Sequence, residues 1–433
     1  MKRYAIKQLI DWKNSKNRKP LIIKGARQVG KTWLMKEFGK AQYKSTIYIN
    51  FEYDDLMREH FSKDFNVARI IEGLELGRSK IVPAETLIIL DEIQECPKAL
   101  TSLKYFYENA PQYHIIAAGS LLGVSLHENF SFPVGKVDFL NLYPLSFLEF
   151  LDAIGKEDFI QLLNNPNSLN IAIFKPKYIE WLKKYYYIGG MPEVVETYIT
   201  TKDFNKVRTV QKNILTAYAD DFSKHISTSG KLKIDLIWDN IPNRLMEENK
   251  KFVYKKVKEG ARADYFEEAL SWLKNTGLIY KVNRITKPAL PVKAYEDTKA
   301  FKLFILDVGL LCAMTKLPAK TLIDGNKIFT EFNGALAEQY VLQQLKTVED
   351  MEISYWINKN GNAEIDFVIQ NEENVVPLEV KANTNIQAKS LKFYREKFNP
   401  KISVRTSLTD FEINNGLYNI PLFMINKIKN ILS

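Results

Sequence analysis

The segment GARQVGKT, residues 25–32, constrains this chain more than any other. It fits G-x-x-x-x-G-K-[ST], follows the apolar run LIIK, and opens into KTWLMKEFGKA, whose apolar spacing is helical. A glycine-containing turn between a buried strand and a helix N-terminus is a phosphate cradle, because backbone N–H groups converge there at the positive end of the helix dipole. The flanking runs TIYINFE, ETLIILDE and HIIAAGS are short, almost wholly apolar and separated by helical patterns. Strands of that kind belong to a parallel sheet covered on both faces, so the first part of the chain is α/β.

In that setting Gly25, Ala26, Arg27, Gln28, Val29, Gly30, Lys31, Thr32 and Trp33 form the expected nucleotide-binding segment. The N–H groups of residues 28–32 are expected to wrap a β-phosphate, with Gly25 and Gly30 leaving room for close approach. Lys31 is expected to bridge the β- and γ-phosphates, and the Thr32 hydroxyl to ligate Mg²⁺. The run TLIILDE supplies the second half: Asp91 at the strand tip to hold the Mg²⁺ shell, and Glu92 to polarise an attacking water. One carboxylate would bind; the second implies hydrolysis, with ATP and Mg²⁺ as cofactors. Ser120, at the end of HIIAAGS, reads equally as a γ-phosphate sensor or as a helix N-cap. Arg27, Lys136 and Arg208 are candidates for neutralising γ-phosphate charge in cis or, in a homo-oligomer, from a neighbouring subunit, with surface ion pairing as the competing role of each.

At 433 residues the chain exceeds one compact core, and about 150 residues per domain suggests roughly three. The formal net charge of +10 favours a polyanionic partner without naming one. Cys96 and Cys312 are far apart, which argues against a disulfide framework and for a reducing, cytoplasmic setting. His60, His114, His127 and His225 stand singly, so no zinc spacing exists. The opening MKRYAIKQLIDWKN lacks a signal-peptide core, and no run approaches the roughly 20 apolar residues that span a bilayer.

Changes of pattern divide the chain at 1–145, 146–235, 236–296 and 297–433. The second part has helical spacing throughout and reads as a helical lid or bundle, interrupted by GGMPE at 189–193. The third offers a helix over 263–274, a Gly277 stop, and strands in LIYKVNRI, KAYE and AFKLFIL, the order of a winged-helix connector. The helix GARADYFEEALSWLK suits packing at least as well as groove insertion, since Asp264, Glu267 and Glu268 oppose a phosphate backbone.

With GARQVGKT, TLIILDE, AAGS, LYPLSFLEFL and YYYIGGMPEVVETYI in this order, the chain resembles a widespread group of bacterial and archaeal AAA-type ATPases with a restriction-endonuclease-like C-terminal part. The resemblance covers nearly the whole chain. It implies an AAA-type P-loop core and a PD-(D/E)XK-type site at the C-terminal end. In such relatives Arg usually follows the glycine ahead of the PLSF segment; here Lys136 follows Gly135, and Lys lacks the planar fork of an arginine finger.

The residues of EIDFVIQNEENVVPLEVKA, 364–382, can be weighed separately. Side chains two apart in a strand share a face, so pairing of the two runs would put Asp366, Glu379 and Lys381 together. Two carboxylates on Mg²⁺ and an ammonium positioning the nucleophile suit phosphodiester hydrolysis, and Glu338 on the upstream helix could add a carboxylate. The competing account is a half-buried hairpin with a solvated acidic face. Lys389, Lys392, Arg395 and Lys397 on the next helix either track a phosphate backbone or form a solvated face. Two functions follow: an ATP-dependent motor or switch that binds nucleic acid, DNA ahead of RNA, and cuts it; or a non-cleaving switch whose C-terminal domain docks DNA or protein.

Overall fold

The computed structural model describes residues 1–119, 133–224, 227–247, 251–260, 262–324, 330–384 and 388–432, which form two compact units. The first comprises residues 2–143 with 275–278; the second comprises 144–274 and 279–433, together with Met1.

In the first unit the apolar runs become β1 (Leu21–Lys24), β2 (Ser45–Asn50), β3 (Thr86–Asp91) and β4 (His114–Ala118), joined by β5 (Asp138–Asn141). Their order is β2-β3-β4-β1-β5, and every pairing is parallel. Each residue of β3 and β4 is buried, which is why these runs carry Ile, Leu and Ala without polar alternation. Ile22, Ile49, Ile88 and Leu90 pack with Ala99, Leu103 and Phe106 of the helix Pro97–Asn109. Because β1, β4 and β3 run parallel, the turn after β1 and the carboxylates that end β3 lie at the same carboxyl end of the sheet, with only β4 between them.

The second unit opens with helices Phe147–Ala153, Leu169–Ile188, Pro192–Thr201, Phe204–Lys224 and Thr228–Met246. The last of these runs through the expected boundary at 235/236 without a break. An eight-stranded mixed sheet follows, built from β6 (Ile279–Ile285), β7 (Glu296–Ile305), β8 (Glu352–Ile357), β9 (Glu364–Asn371), β10 (Asn374–Val380), β11 (Ser403–Ser407), β12 (Glu412–Asn414) and β13 (Leu417–Pro421). The order is β12-β13-β11-β10-β9-β8-β6-β7.

Two expectations change here. The strands of the anticipated wing, β6 and β7, continue the C-terminal sheet, because β6 pairs in parallel with β8 at Arg284–Tyr355 and Ile285–Trp356. KAYE is mostly a 3₁₀ turn, Val292–Tyr295, with only its Glu296 in β7. Pro288 and Pro291 precede it and offer no N–H to a ladder. The helix Ala263–Asn275 buries Phe266, Ala269, Leu270, Trp272 and Leu273, so its apolar face is spent on packing. No helix among the described residues is long and apolar enough to cross a membrane.

Candidate functional sites: a phosphate loop and a carboxylate–ammonium cluster

The loop after β1 departs from ordinary backbone at three places: φ is 153° at Gly25, 63° at Gln28 and 92° at Gly30. Positive φ turns successive N–H groups inward, which makes an anion nest. Gly25 is also required sterically, since a Cβ there would lie 2.3 Å from the Leu142 carbonyl oxygen. The helix Lys31–Gln42 starts directly from Gly30 without a side-chain cap, leaving its first N–H groups for a ligand.

Lys31 is buried, and its ammonium donates to the carbonyls of Gly25 at 3.0 Å and Ala26 at 2.8 Å. Burial brings it down to about 8, against the pull of Glu92 and Asp91 and with a further push from Arg27. The Thr32 hydroxyl donates to Asp91 Oδ2 at 2.6 Å, and Tyr48 donates to the same oxygen at 3.0 Å. Hydroxyl and carboxylate therefore meet at the tip of β3, a donor pair that fits a hard divalent cation. Glu92, in left-handed backbone at φ 47°, accepts from the Gln94 amide at 2.6 Å. Trp33 is 42% exposed on the first turn of the helix.

Three further residues complete the picture. Ser120 lies outside the described residues. Lys136 pairs with Glu108 at 3.0 Å in the first unit. In the second unit Arg208 donates to the Leu317 carbonyl at 2.8 Å and stacks on Tyr187, with its guanidinium carbon 4.4 Å from the ring centroid. Both cations thus have local partners. Sequence reasoning missed Arg3, whose guanidinium donates to the Val29 carbonyl at 2.8 Å and to the Tyr143 carbonyl at 2.6 Å, tying the N-terminal segment to the loop. It also missed Tyr48; a lone polar ring in STIYIN was its only signal.

In the second unit β9 and β10 pair antiparallel with Phe367 opposite Leu378, which brings Asp366 beside Glu379. Asp366 Oδ2 accepts from the Val380 N–H at 2.8 Å, and Lys381 Nζ lies 2.8 Å from Glu379 Oε1. Glu338 and Glu379 are both buried, and Glu379 Oε2 has no hydrogen-bond partner. Burial pushes the Glu379 carboxyl up, with Lys381 opposing it.

The unforeseen member is Lys302 of β7. It is 0% exposed and paired with Glu364. Burial alone would lower its ammonium, yet Glu364, Glu338 and Asp366 together hold it above the usual lysine range. Its signal was present in AFKLFIL, a single lysine in an otherwise apolar strand. Among the described residues no three His, Cys, Asp or Glu side chains are arranged to hold a metal ion. Beside the trio Glu338, Asp366 and Glu379, two ammonium groups supply counter-charge, Lys302 on Glu364 and Lys381 on Glu379.

Residues 17–151 match the model of an AAA domain. Residues 179–321 and 333–425 each match a domain of unknown function, DUF8612 and DUF4143. No curated protein matches the chain. Among solved structures, the Walker-type ATPase Paby2304 of Pyrococcus abyssi is similar at 17% identity, over 72% of this chain and 95% of that one, with a TM-score of 0.46. The Aeropyrum pernix ORC1 protein in complex with DNA is similar at 13% identity, over 73% and 94%, with a TM-score of 0.28. AMPPCP-bound DnaA from Aquifex aeolicus is similar at 15% identity, over 62% and 86%, with a TM-score of 0.28. The AAA-domain match spans the five parallel strands, the loop at 25–32 and the acidic tip of β3, so the part of the chain that carries the phosphate loop is the part that matches the AAA domain.

Proposed function

We propose that the chain is an ATP- and Mg²⁺-dependent P-loop ATPase, a switch or motor whose C-terminal domain engages nucleic acid, DNA ahead of RNA. The contact that carries the first half is the 2.6 Å hydrogen bond from Thr32 to Asp91 beside the nest of 25–32. Thr32 and Asp91 would hold Mg²⁺, which when bound offsets charge on the phosphate oxygens. Lys31 would leave the Gly25 and Ala26 carbonyls for the β- and γ-phosphates, and Glu92 would orient the attacking water and take its proton. The cofactor-binding set is Gly25 to Trp33 with Asp91 and Ser120.

The second half is supported by a groove of about 950 Å³ in the C-terminal sheet region, lined by Lys389, Lys392, Arg395, Lys401 and Arg405 with Glu396 as its one acid. Five cations at that density suit a phosphate backbone, whose binding is driven by counterion release. Cutting is the finer question. The ammonium-filled cluster favours the docking reading, in which Asp366, Glu379 and Lys381 are structural, over hydrolysis by a metal at those residues. Within this reading 1–145 is the core and 146–235 the helical lid, while the strands of the anticipated connector, β6 and β7, are part of the C-terminal docking sheet.

One paired experiment tests the proposal. ATP turnover should require Mg²⁺ and vanish in Lys31→Ala; unchanged turnover would sink the P-loop assignment. DNA affinity should fall steeply with salt, and the double variant Lys392→Ala/Lys401→Ala should reduce the slope by about 0.9 per lost phosphate contact. A flat salt response in the wild type is incompatible with the groove.

A further inference from the structure

Strand β7 buries a lysine beside a carboxylate cluster, a costly arrangement that docking alone does not require. Lys302 is fully buried, on a strand whose other residues from Ala300 to Ile305 are apolar. An ammonium in such a place is tolerated only when anions surround it. Its direct partner is Glu364, at the start of β9, and Glu338 and Asp366 lie close enough to act on it electrostatically. Its Nζ also lies 4.9 Å from the centroid of the Tyr355 ring, on β8. Lys381 is a second cation of the cluster, 2.8 Å from Glu379 and with Asp366 and Glu338 in electrostatic range.

Lysine and a divalent cation are alternative solutions to one problem, the concentration of carboxylates in low dielectric. A half-exposed lysine can share such a site with a metal, but a dication among the oxygens around Lys302 would face a buried ammonium that cannot leave for solvent. Resting on the docking reading, we propose that the Lys302 ammonium is the resident cation of the Glu338–Glu364–Asp366–Glu379 cluster, joins β7 electrostatically to β9, and keeps divalent metal out. Lys302 is on this account a positioning residue: the shape of a nuclease-type carboxylate site is retained while its metal is replaced by the chain's own side chain. The orphaned Glu379 Oε2 is the oxygen a metal would reclaim if the lysine were removed.

The test is a Mn²⁺ titration of the full chain without nucleotide, read by the electron paramagnetic resonance of free Mn²⁺, on the wild type, Asp366→Asn, Lys302→Met and the double variant. The wild type and Asp366→Asn should give superimposable curves. Lys302→Met should gain a site that the added Asp366→Asn removes, at least about tenfold tighter than any Asp366-dependent binding in the wild type, since like-charge repulsion is relieved. A wild-type site lost in Asp366→Asn overturns the proposal, as does a folded Lys302→Met that gains none. Should Lys302→Met fail to fold, the wild-type and Asp366→Asn pair alone decides: coincident curves support the resident lysine and divergent ones refute it. A DNA-cleavage assay of the wild type runs alongside. Asp366-dependent cutting defeats the docking reading itself, whereas no cutting together with no gained Mn²⁺ site defeats only the role given to Lys302.

Discussion

His114 is a residue whose chemistry follows from its surroundings. It opens β4 with its ring edge-on to Trp12 and Tyr43, and Nδ1 lies 2.7 Å from the Tyr43 hydroxyl. Burial, with Arg18 and Lys13 adding repulsion, lowers its pKa to about 4. The unfolded chain therefore binds a proton that the folded chain refuses between about pH 6.5 and 4, so the stabilising effect is complete above that window and is lost as pH falls through it. The wild type should lose stability over this range relative to His114→Gln, by on the order of 1 kcal/mol. Parallel melting curves of the two proteins from pH 7 to 4 would contradict it. Lys31 shows the same effect in a functional setting: burial lowers an ammonium that the GKT pattern alone would leave ordinary. Motif recognition named that residue; its environment had to come from the packed loop.

At the scale of elements, the motifs PLSFLEF and GGMPE explain each other. Gly190 exchanges backbone hydrogen bonds with the region around it: its carbonyl accepts from the Leu145 N–H at 2.7 Å, and its own N–H donates to Asp307 Oδ2 at 2.6 Å. Asp307 caps the helix Val308–Met314 through the Leu310 N–H at 3.0 Å and receives the Gln343 amide at 3.0 Å. Ser146 and Glu149 form a capping box on the helix Phe147–Ala153, and the Phe147 N–H donates to Gln344 at 2.8 Å. The double glycine has a steric cause. A Cβ at Gly189, where φ is 77°, would sit 2.0 Å from Asp307 Oδ1, and one at Gly190 would sit 2.1 Å from the Leu145 carbonyl oxygen. Gly190→Ala should therefore cost about 2–3 kcal/mol, by overpacking a buried polar network. Denaturant melts check this, and a midpoint within error of the wild type would rule it out. These segments, which carry much of the family resemblance, are thus structural in the second unit, a role that spacing within either motif could not reveal.

At the scale of the whole molecule, the decisive feature is where a sheet ends. A division at 296/297 falls between the first two residues of β7, and β7 reaches the sheet only through β6. A fragment of 297–433 would lose β6, leave β8 with an open edge, and strip Lys302 of its burial. It should show no cooperative thermal transition, whereas a fragment beginning at 279 should recover one; a sharp melt of the shorter piece would contradict this reading of the sheet. The strand–turn–helix at 25–32, the acidic end of β3 and the pairing of β9 with β10 were legible because each rests on neighbours in sequence, through period-two alternation, a left-handed glycine and a helix N-terminus. The local signal for Lys302 was equally present, a charge in an apolar strand, but its meaning depended on partners at 338, 364 and 366. By itself the sequence determined which segments can cradle a phosphate and which side chains share a strand face. Only the tertiary structure decided that β6 and β7 extend the C-terminal sheet and that an ammonium fills the carboxylate cluster, because strand order and buried charge pairing are set by contacts distant in the chain, which no local periodicity encodes.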